Sequence, residues 1–226
     1  MILSLAVALL LQGSQDALVA ASGEYKLEFE NAFARIVRVR YAKPGERSPM
    51  HDHSALPVVH IALQDASNRH TFESGRTVVM NRRAGSVLYA PAARERHSVE
   101  NIGTHGSENV RVELKTVPAT EPVPISATLA ADCHLELENE QVRVVRVAYP
   151  GGGAGLQCAS ESRMGVAVFL GEFEGTLAAA DRSAIPEHRA AGEAVWSSHV
   201  LTDRRTQSRS APAEVLLVEL KGFPKN

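Results

Sequence analysis

The stretch Glu30-Asn31-Ala32-Phe33-Ala34-Arg35-Ile36-Val37-Arg38-Val39-Arg40-Tyr41 recurs, with few changes, as Glu138-Asn139-Glu140-Gln141-Val142-Arg143-Val144-Val145-Arg146-Val147-Ala148-Tyr149. The match returns further along as Val112-Glu113-Leu114-Lys115 and Val218-Glu219-Leu220-Lys221. A repeat at so long a period indicates two copies of one domain, because a solenoid would repeat every few tens of residues.

The first stretch also has the alternation of a half-buried β-strand, since Val37, Val39 and Tyr41 are separated by arginines. Similar short apolar segments follow at 58–63, 76–80, 87–90 and 110–114. Turn-forming residues separate them, for example at 65–68 and 84–85. Many short strands at regular spacing predict an all-β fold, either a barrel or a sandwich.

The chain of 226 residues is long enough for two domains of about 100 residues each. Prolines at 118, 122 and 124 mark the junction, because proline interrupts strands. We expect a signal peptide over residues 1–21, a first domain over 22–118, a Pro-rich linker over 119–127 and a second domain over 128–226.

The N-terminal run Ile2–Leu11 is apolar, too short for a membrane span, and typical of the core of a secretory signal peptide. It predicts export to the periplasm or the exterior, and the alternative is a helix packed on the domain. A formal net charge of −2 gives no reason to expect nucleic acid as a partner. Cys133 and Cys158 are the only cysteines, and either a disulfide or two free thiols fits them.

Three histidines form the pattern that points to chemistry. His51 and His53 lie two residues apart, so on a strand both imidazoles project from one face, while Asp52 projects from the other. Two such rings can converge on one metal ion, and His97 is the candidate third ligand from another strand.

At these residues the chain resembles the cupin superfamily. Pro44-Gly45, His51 and His53 match the first cupin motif. The second motif matches at Gly85, Pro91, His97 and Asn101, with one extra residue before the histidine and Ala93 in place of a glycine. The resemblance covers both halves and implies two tandem double-stranded β-helix (cupin jelly-roll) barrels, as in small exported bicupins.

The resemblance implies that His51, His53 and His97 hold one divalent metal. The glutamate of the motif falls on Pro57 or Val58, which cannot bind a metal, so the site favours Zn, Fe, Ni or Cu over Mn. His60 is a possible additional ligand, and Glu95 and Glu100 are weaker candidates. We read the remaining histidines, at 70, 105, 134, 188 and 199, as surface or loop residues.

The second half has Ala159, Glu161 and Asp203 at the aligned ligand places, so we expect it to bind no metal and to support the first barrel. Tyr89 and Asn101 are expected to line the pocket. Two functions stay open. One is a small-molecule metalloenzyme resembling a dioxygenase or an isomerase, and the other is a non-catalytic protein that binds or senses a small ligand. The sequence leaves the substrate, the metal and the oligomeric state undecided.

Overall fold

The computed structural model of the chain describes residues 16–118, 133–149, 164–177, 185–197, 207–208 and 212–222. Several sequence predictions lie outside these residues: the apolar run at 2–11, the linker at 119–127, Cys158, and the aligned places at 157–161 and 203. Cys133 is disulfide-bonded. We call residues 16–118 the first half and the described residues from 133 onwards the second half.

In the described residues the regular structure is almost entirely β-strand, which confirms the predicted all-β class. One short helix, α1, spans Ala17–Ala20. The strands are β1 Tyr25–Glu30, β2 Ala34–Tyr41, β3 Val58–Ala62, β4 Ala66–Phe72, β5 Thr77–Arg82, β6 Val87–Ala90, β7 His97–Asn101, β8 Ser107–Leu114, β9 Cys133–Glu138, β10 Val142–Tyr149, β11 Gly165–Phe169, β12 Phe173–Leu177, β13 Ile185–Arg189, β14 Ala194–Ser197, β15 Gln207–Ser208 and β16 Ala213–Leu220.

Each half combines a five-stranded sheet with a three-stranded sheet. The first half has the orders β1-β2-β8-β3-β6 and β5-β4-β7, and the second has β9-β10-β16-β11-β14 and β13-β12-β15. The two halves therefore share one strand order. The sheets are open in the described part of the chain, so the structure gives two-layered halves and does not itself show closed barrels.

The large sheet of the first half is buried on both faces. Along β8, Val110, Val112 and Leu114 join a core that also contains Val144, Val218 and other residues of the second half. Arg111 and Glu113 alternate with them and point between the two sheets of their own half, where they are also buried. The largest apolar core of the described residues thus lies between the halves, and the polar interior of the first half lies behind it.

Equivalent residues of the two halves make reciprocal contacts across this core. Arg38 donates from Nη2 to the carbonyl of Gly192 at 2.7 Å, and Arg146 donates from Nη2 to the carbonyl of Gly85 at 2.7 Å. Both glycines have positive φ, 83° at Gly192 and 75° at Gly85, a conformation that favours glycine. The second half therefore supports the first through a matched set of contacts.

One predicted turn is wrong. Residues 65–68 were expected to form a turn, but β4 already begins at Ala66. Asp65 ends the turn by accepting a hydrogen bond from the Ala84 amide at 2.8 Å. Ser67 lies opposite Asn81 in β5 and donates to its Oδ1 at 2.7 Å. Cross-strand hydrogen bonding therefore places typical turn residues within a strand.

Helix α1 packs on the edge of the first half. Its residue Ala17, with Ala21 and Tyr25, joins a small core that includes Val39. The Ala17 amide donates to the carbonyl of Asp52 at 2.9 Å, so this segment also holds the backbone between the first two histidines. In the described residues no helix is long and apolar enough to cross a membrane.

Candidate metal centre

The backbone brings His51 and His97 side by side. Each donates its amide to the carbonyl of the other at 2.9 Å, which makes an isolated antiparallel bridge between His51 and the first residue of β7. Residues that exchange both hydrogen bonds lie directly opposite each other, with side chains on the same face. His53 lies two residues further along and projects to that face as well. This local pairing confirms that the three predicted histidines lie together.

The three imidazoles form a compact group that could hold one ion. Their ring centroids are 5.0 Å apart for His51 and His53, 4.9 Å for His51 and His97, and 5.2 Å for His53 and His97. One nitrogen from each lies within 4.8 Å of the others. Two nitrogens that each bind one ion at about 2.1 Å lie at most about 4.2 Å apart. The nitrogen separations here, up to 4.8 Å, are close to this limit.

Hydrogen bonds orient two of the rings for ligation. His51 donates from Nδ1 to the carbonyl of Pro49 at 2.8 Å, and His97 donates from Nδ1 to the carbonyl of Glu95 at 2.9 Å. A carbonyl only accepts, so each Nδ1 carries the proton and each Nε2 presents a lone pair. The Nε2 atoms of His51 and His53 are buried without a hydrogen-bond partner in the described structure. Buried polar atoms are seldom left in this way, so these residues fit a metal.

The electrostatics favour neutral rings, which are the form that binds metals. Burial, opposed by the Pro49 carbonyl, lowers the pKa of His51 to about 4. Burial and the charge of Arg111 lower the pKa of His53. Burial also lowers the pKa of His97, against the effect of its bond to the Glu95 carbonyl.

The histidines lie at the wall of a cavity of about 350 Å³ between the two sheets of the first half. His53 and His97 line the cavity, whereas His51 is 0 % exposed behind it. His60, the predicted additional ligand, also lines the cavity, but the group able to hold a metal among the described residues does not include it.

His70 is a residue of this site that the sequence reading missed, because it was assigned to the surface. It lines the cavity, and its ring centroid is 5.5 Å from that of His97. Burial is the main cause that lowers its pKa to about 4. The period of β4 places His70 on the same face as Asn68 and Phe72, which also line the cavity.

Two arginines and one glutamate form a buried network beside the cavity. Glu113 accepts from Arg35 Nε at 2.7 Å and from the Ser54 hydroxyl at 3.0 Å. Arg111 donates from Nη2 to the other oxygen of Glu113 at 3.2 Å. One carboxylate therefore lies between two guanidinium groups, and Arg35 also contacts the carboxylate of Asp16 at 3.8 Å.

Tyr89 and Asn101, which were expected to line the pocket, are not among the residues that line this cavity. Tyr89 lies on the opposite face of β6 and donates to Gln141 of the second half at 2.9 Å. Asn101 is 0 % exposed and donates from Nδ2 to the carbonyls of Lys43 and His105. Its amide therefore holds the neighbouring turns together.

The two weaker carboxylate candidates are both engaged elsewhere. Glu95 contacts Arg76 at 2.7 Å, and Glu100 contacts Arg69 at 3.2 Å. Val58, one of the two places expected for the missing glutamate, contributes an apolar part of the cavity wall. The described group that could hold a metal thus consists of histidines alone.

The interior of the second half is apolar at the matching positions. The strand register aligns His60 with Ala167, Arg111 with Leu217, and Asn109 with Val215. Ala167, Val215 and Leu217 pack there with Phe169, Phe173 and Tyr149. In the described residues, apolar side chains thus stand at the positions whose counterparts line the cavity of the first half.

No protein-family model matches the chain, and no curated protein matches it either. Solved structures share its fold at low identity. A protein described as glyoxylate-induced, from Pseudomonas aeruginosa, has a TM-score of 0.61 and 12 % identity, with 89 % of this chain and 80 % of that chain covered. The oxalate decarboxylase of Bacillus subtilis, studied for its Mn(II) centres, has a TM-score of 0.55 and 13 % identity, with 90 % and 77 % covered. A cupin 2 conserved barrel domain protein from Leptotrichia buccalis has a TM-score of 0.50 and 11 % identity, with 87 % and 88 % covered.

Proposed function

Given the cupin fold, which these structures establish, we propose that the chain is an exported bicupin with a single metal site in its first half. His51, His53 and His97 are the proposed ligands. The observation that carries this proposal is the convergence of three imidazoles at the cavity, two of them fixed through Nδ1 and two with an unpartnered Nε2.

The metal would supply Lewis-acid or oxygen-activating chemistry to a small organic molecule in the cavity. Three protein ligands leave positions free for such a molecule. An all-imidazole ligand set favours Zn, Fe, Ni or Cu. The chain's own contribution is to keep the three rings neutral, to orient two of them through backbone carbonyls, and to enclose the ligand in the cavity.

The proposed reaction is that of a dioxygenase or an isomerase. A non-catalytic role in binding or sensing a small ligand is the second candidate, and a specific observation favours it. The two carboxylates that line the cavity, Glu95 and Glu108, are both held by arginines, so neither is free to act as a general base.

Elemental analysis of the full chain purified without a histidine tag tests the metal site. We expect about one transition-metal ion per chain, lost in a variant with both His51→Ala and His53→Ala. His134→Ala is the matched control, because His134 is exposed on β9 in the second half. A metal content near zero after reconstitution, or one that survives the double substitution, would reject the site.

Export is proposed from the apolar run at 2–11 alone. Mass spectrometry of the chain recovered from a bacterial host tests it. Since Ala17 and Ala21 are buried against the first half, cleavage before Asp16 would preserve this packing. Recovery of the intact chain in the cytosol would contradict export.

A further inference from the structure

Arg111, at the wall of the cavity, is the feature that goes furthest beyond the metal site. In the second half, Arg143 donates to Glu219 at 2.5 Å, and this pair matches Arg35 and Glu113. The pair in the second half has Leu217 beside it, whereas the pair in the first half has Arg111. Arg111 is thus an additional buried cation beside Glu113, a carboxylate that Arg35 already pairs with.

Arg111 is not fully satisfied by the protein. It is 7 % exposed, and its Nε is buried without a hydrogen-bond partner in the described structure. A buried guanidinium that is incompletely paired costs several kcal/mol relative to its hydrated state. Arg111 also lines the cavity, so a ligand there can reach it.

A second cation faces the same cavity. Arg82, at the end of β5, lines the cavity and makes no ion pair in the described part of the chain. The other charges at the wall are balanced, because Glu95 contacts Arg76 at 2.7 Å and Glu108 contacts Arg38 at 3.2 Å. Among the described residues, no group therefore neutralises the charge of Arg82 at the cavity.

The rest of the wall is suited to hydrocarbon. Val78, Met80 and Leu88 line it, and Met80 and Leu88 are 37 % and 38 % exposed. Their exposure shows that solvent reaches this side of the cavity. Its volume of about 350 Å³ is at the small end of the range for small-molecule sites.

We propose that the cavity binds a small organic acid whose carboxylate is held by Arg111, with Arg82 as a second cation, and whose apolar part lies against Met80 and Leu88. Guanidinium groups bind carboxylates through paired, charge-assisted hydrogen bonds. The inference deepens the proposed small-molecule function by naming its ligand class, and it does not depend on the metal.

Calorimetric titration of the metal-free full chain with hexanoate and benzoate, each compared with its primary amide, tests this inference. We expect both acids to bind and the neutral amides to bind at least 10-fold more weakly. Arg111→Leu copies the second half, where Leu217 lies beside an intact pair, so it should fold. This variant should weaken acid binding by about 10- to 100-fold, the range for hydrogen bonds to charged groups.

Arg69→Leu is the matched control, because Arg69 is an arginine on β4 that does not line the cavity. It should leave acid binding unchanged. If circular dichroism shows Arg111→Leu unfolded, Arg82→Leu takes its place, with the same direction of effect. Equal affinity for acids and amides, no binding of either acid, or unchanged binding in the arginine variants would overturn the inference.

The metal content of the same samples separates this result from the proposed function. Acid binding by a chain that takes up no metal would reject the metal site and keep the inference. A chain that binds metal but does not distinguish acids from amides would do the reverse.

Discussion

The buried histidines should make the metal-free protein sensitive to acid. Burial lowers the pKa of His51 and His70 to about 4, and it also lowers the pKa values of His53 and His60. In the unfolded chain a histidine takes up its proton near pH 6.5. Between pH 6.5 and the folded-state values, the unfolded state binds more protons than the native state, so stability falls as the pH falls.

The size of the effect follows from the number of rings. Each histidine kept neutral contributes a loss of about 1.4 kcal/mol for each pH unit below 6.5. At pH 5.5 four such rings together remove about 5 kcal/mol, a large fraction of the 5–15 kcal/mol that is typical of a domain. Stability should therefore be complete above pH 7 and should decline steeply from about 6.5 to 5.

Urea unfolding of the chelator-treated chain at half-unit pH steps measures this decline. His60→Ala copies Ala167 of the second half and should reduce the slope by about 1.4 kcal/mol per pH unit. The exposed His134 serves as the control, since His134→Ala should leave the slope unchanged. A free energy of unfolding that is flat from pH 7.5 to 5.5, or equal slopes for the two variants, would refute the reasoning.

Three further predictions concern the metal and the contact between the halves. Saturating Zn²⁺ should move the acid transition to lower pH, because the ion binds only the neutral rings of the native state. At a free Zn²⁺ concentration 100-fold above Kd, binding adds about 2.7 kcal/mol to the free energy of unfolding. An unmoved transition would contradict this prediction. Gly192→Ala should lower the free energy of unfolding by more than 1 kcal/mol in urea titration, because φ is 83° and a Cβ would lie 3.0 Å from Leu63 Cδ1. Gly171→Ala is the control and should be neutral, since the space around Gly171 is open. Trp196→Ala should lower the free energy of unfolding by about 3 kcal/mol in thermal unfolding, because this ring stacks on Phe29 and Phe33 of the first half. A loss below 1 kcal/mol would show that the stack is unimportant.

The sequence was sufficient to locate the histidine group, because period-two geometry determines the relation of His51 to His53. It was not sufficient for Arg111 and His70. In a strand with both faces buried, charged residues that alternate with valines look the same as those on a solvent-facing strand. Only the packing of the second half against Val110 and Val112 shows that the arginine between them points inward.

The direction in which Tyr89 points could not be read from the sequence for the same reason. Its alternation with Leu88 was readable, but which of the two residues faces the cavity depends on how the two large sheets stack. The tyrosine reaches Gln141, and the leucine lines the cavity. Local periodicity therefore predicted the strands, whereas the packing of distant parts of the chain determines which face of each strand lines the cavity.

The reciprocal contacts of Arg38 and Arg146 have a consequence for how the molecule is assembled. Each half offers its partner the same surface that it receives, which is the definition of an isologous interface, here completed within one polypeptide. Such an interface is complementary to itself, so the first half expressed alone would leave an apolar face that a second copy fits. The surface that joins the halves is also separate from the interior of each half. The described halves accordingly differ inside, where Arg111 corresponds to Leu217, while their joining surfaces make equivalent contacts.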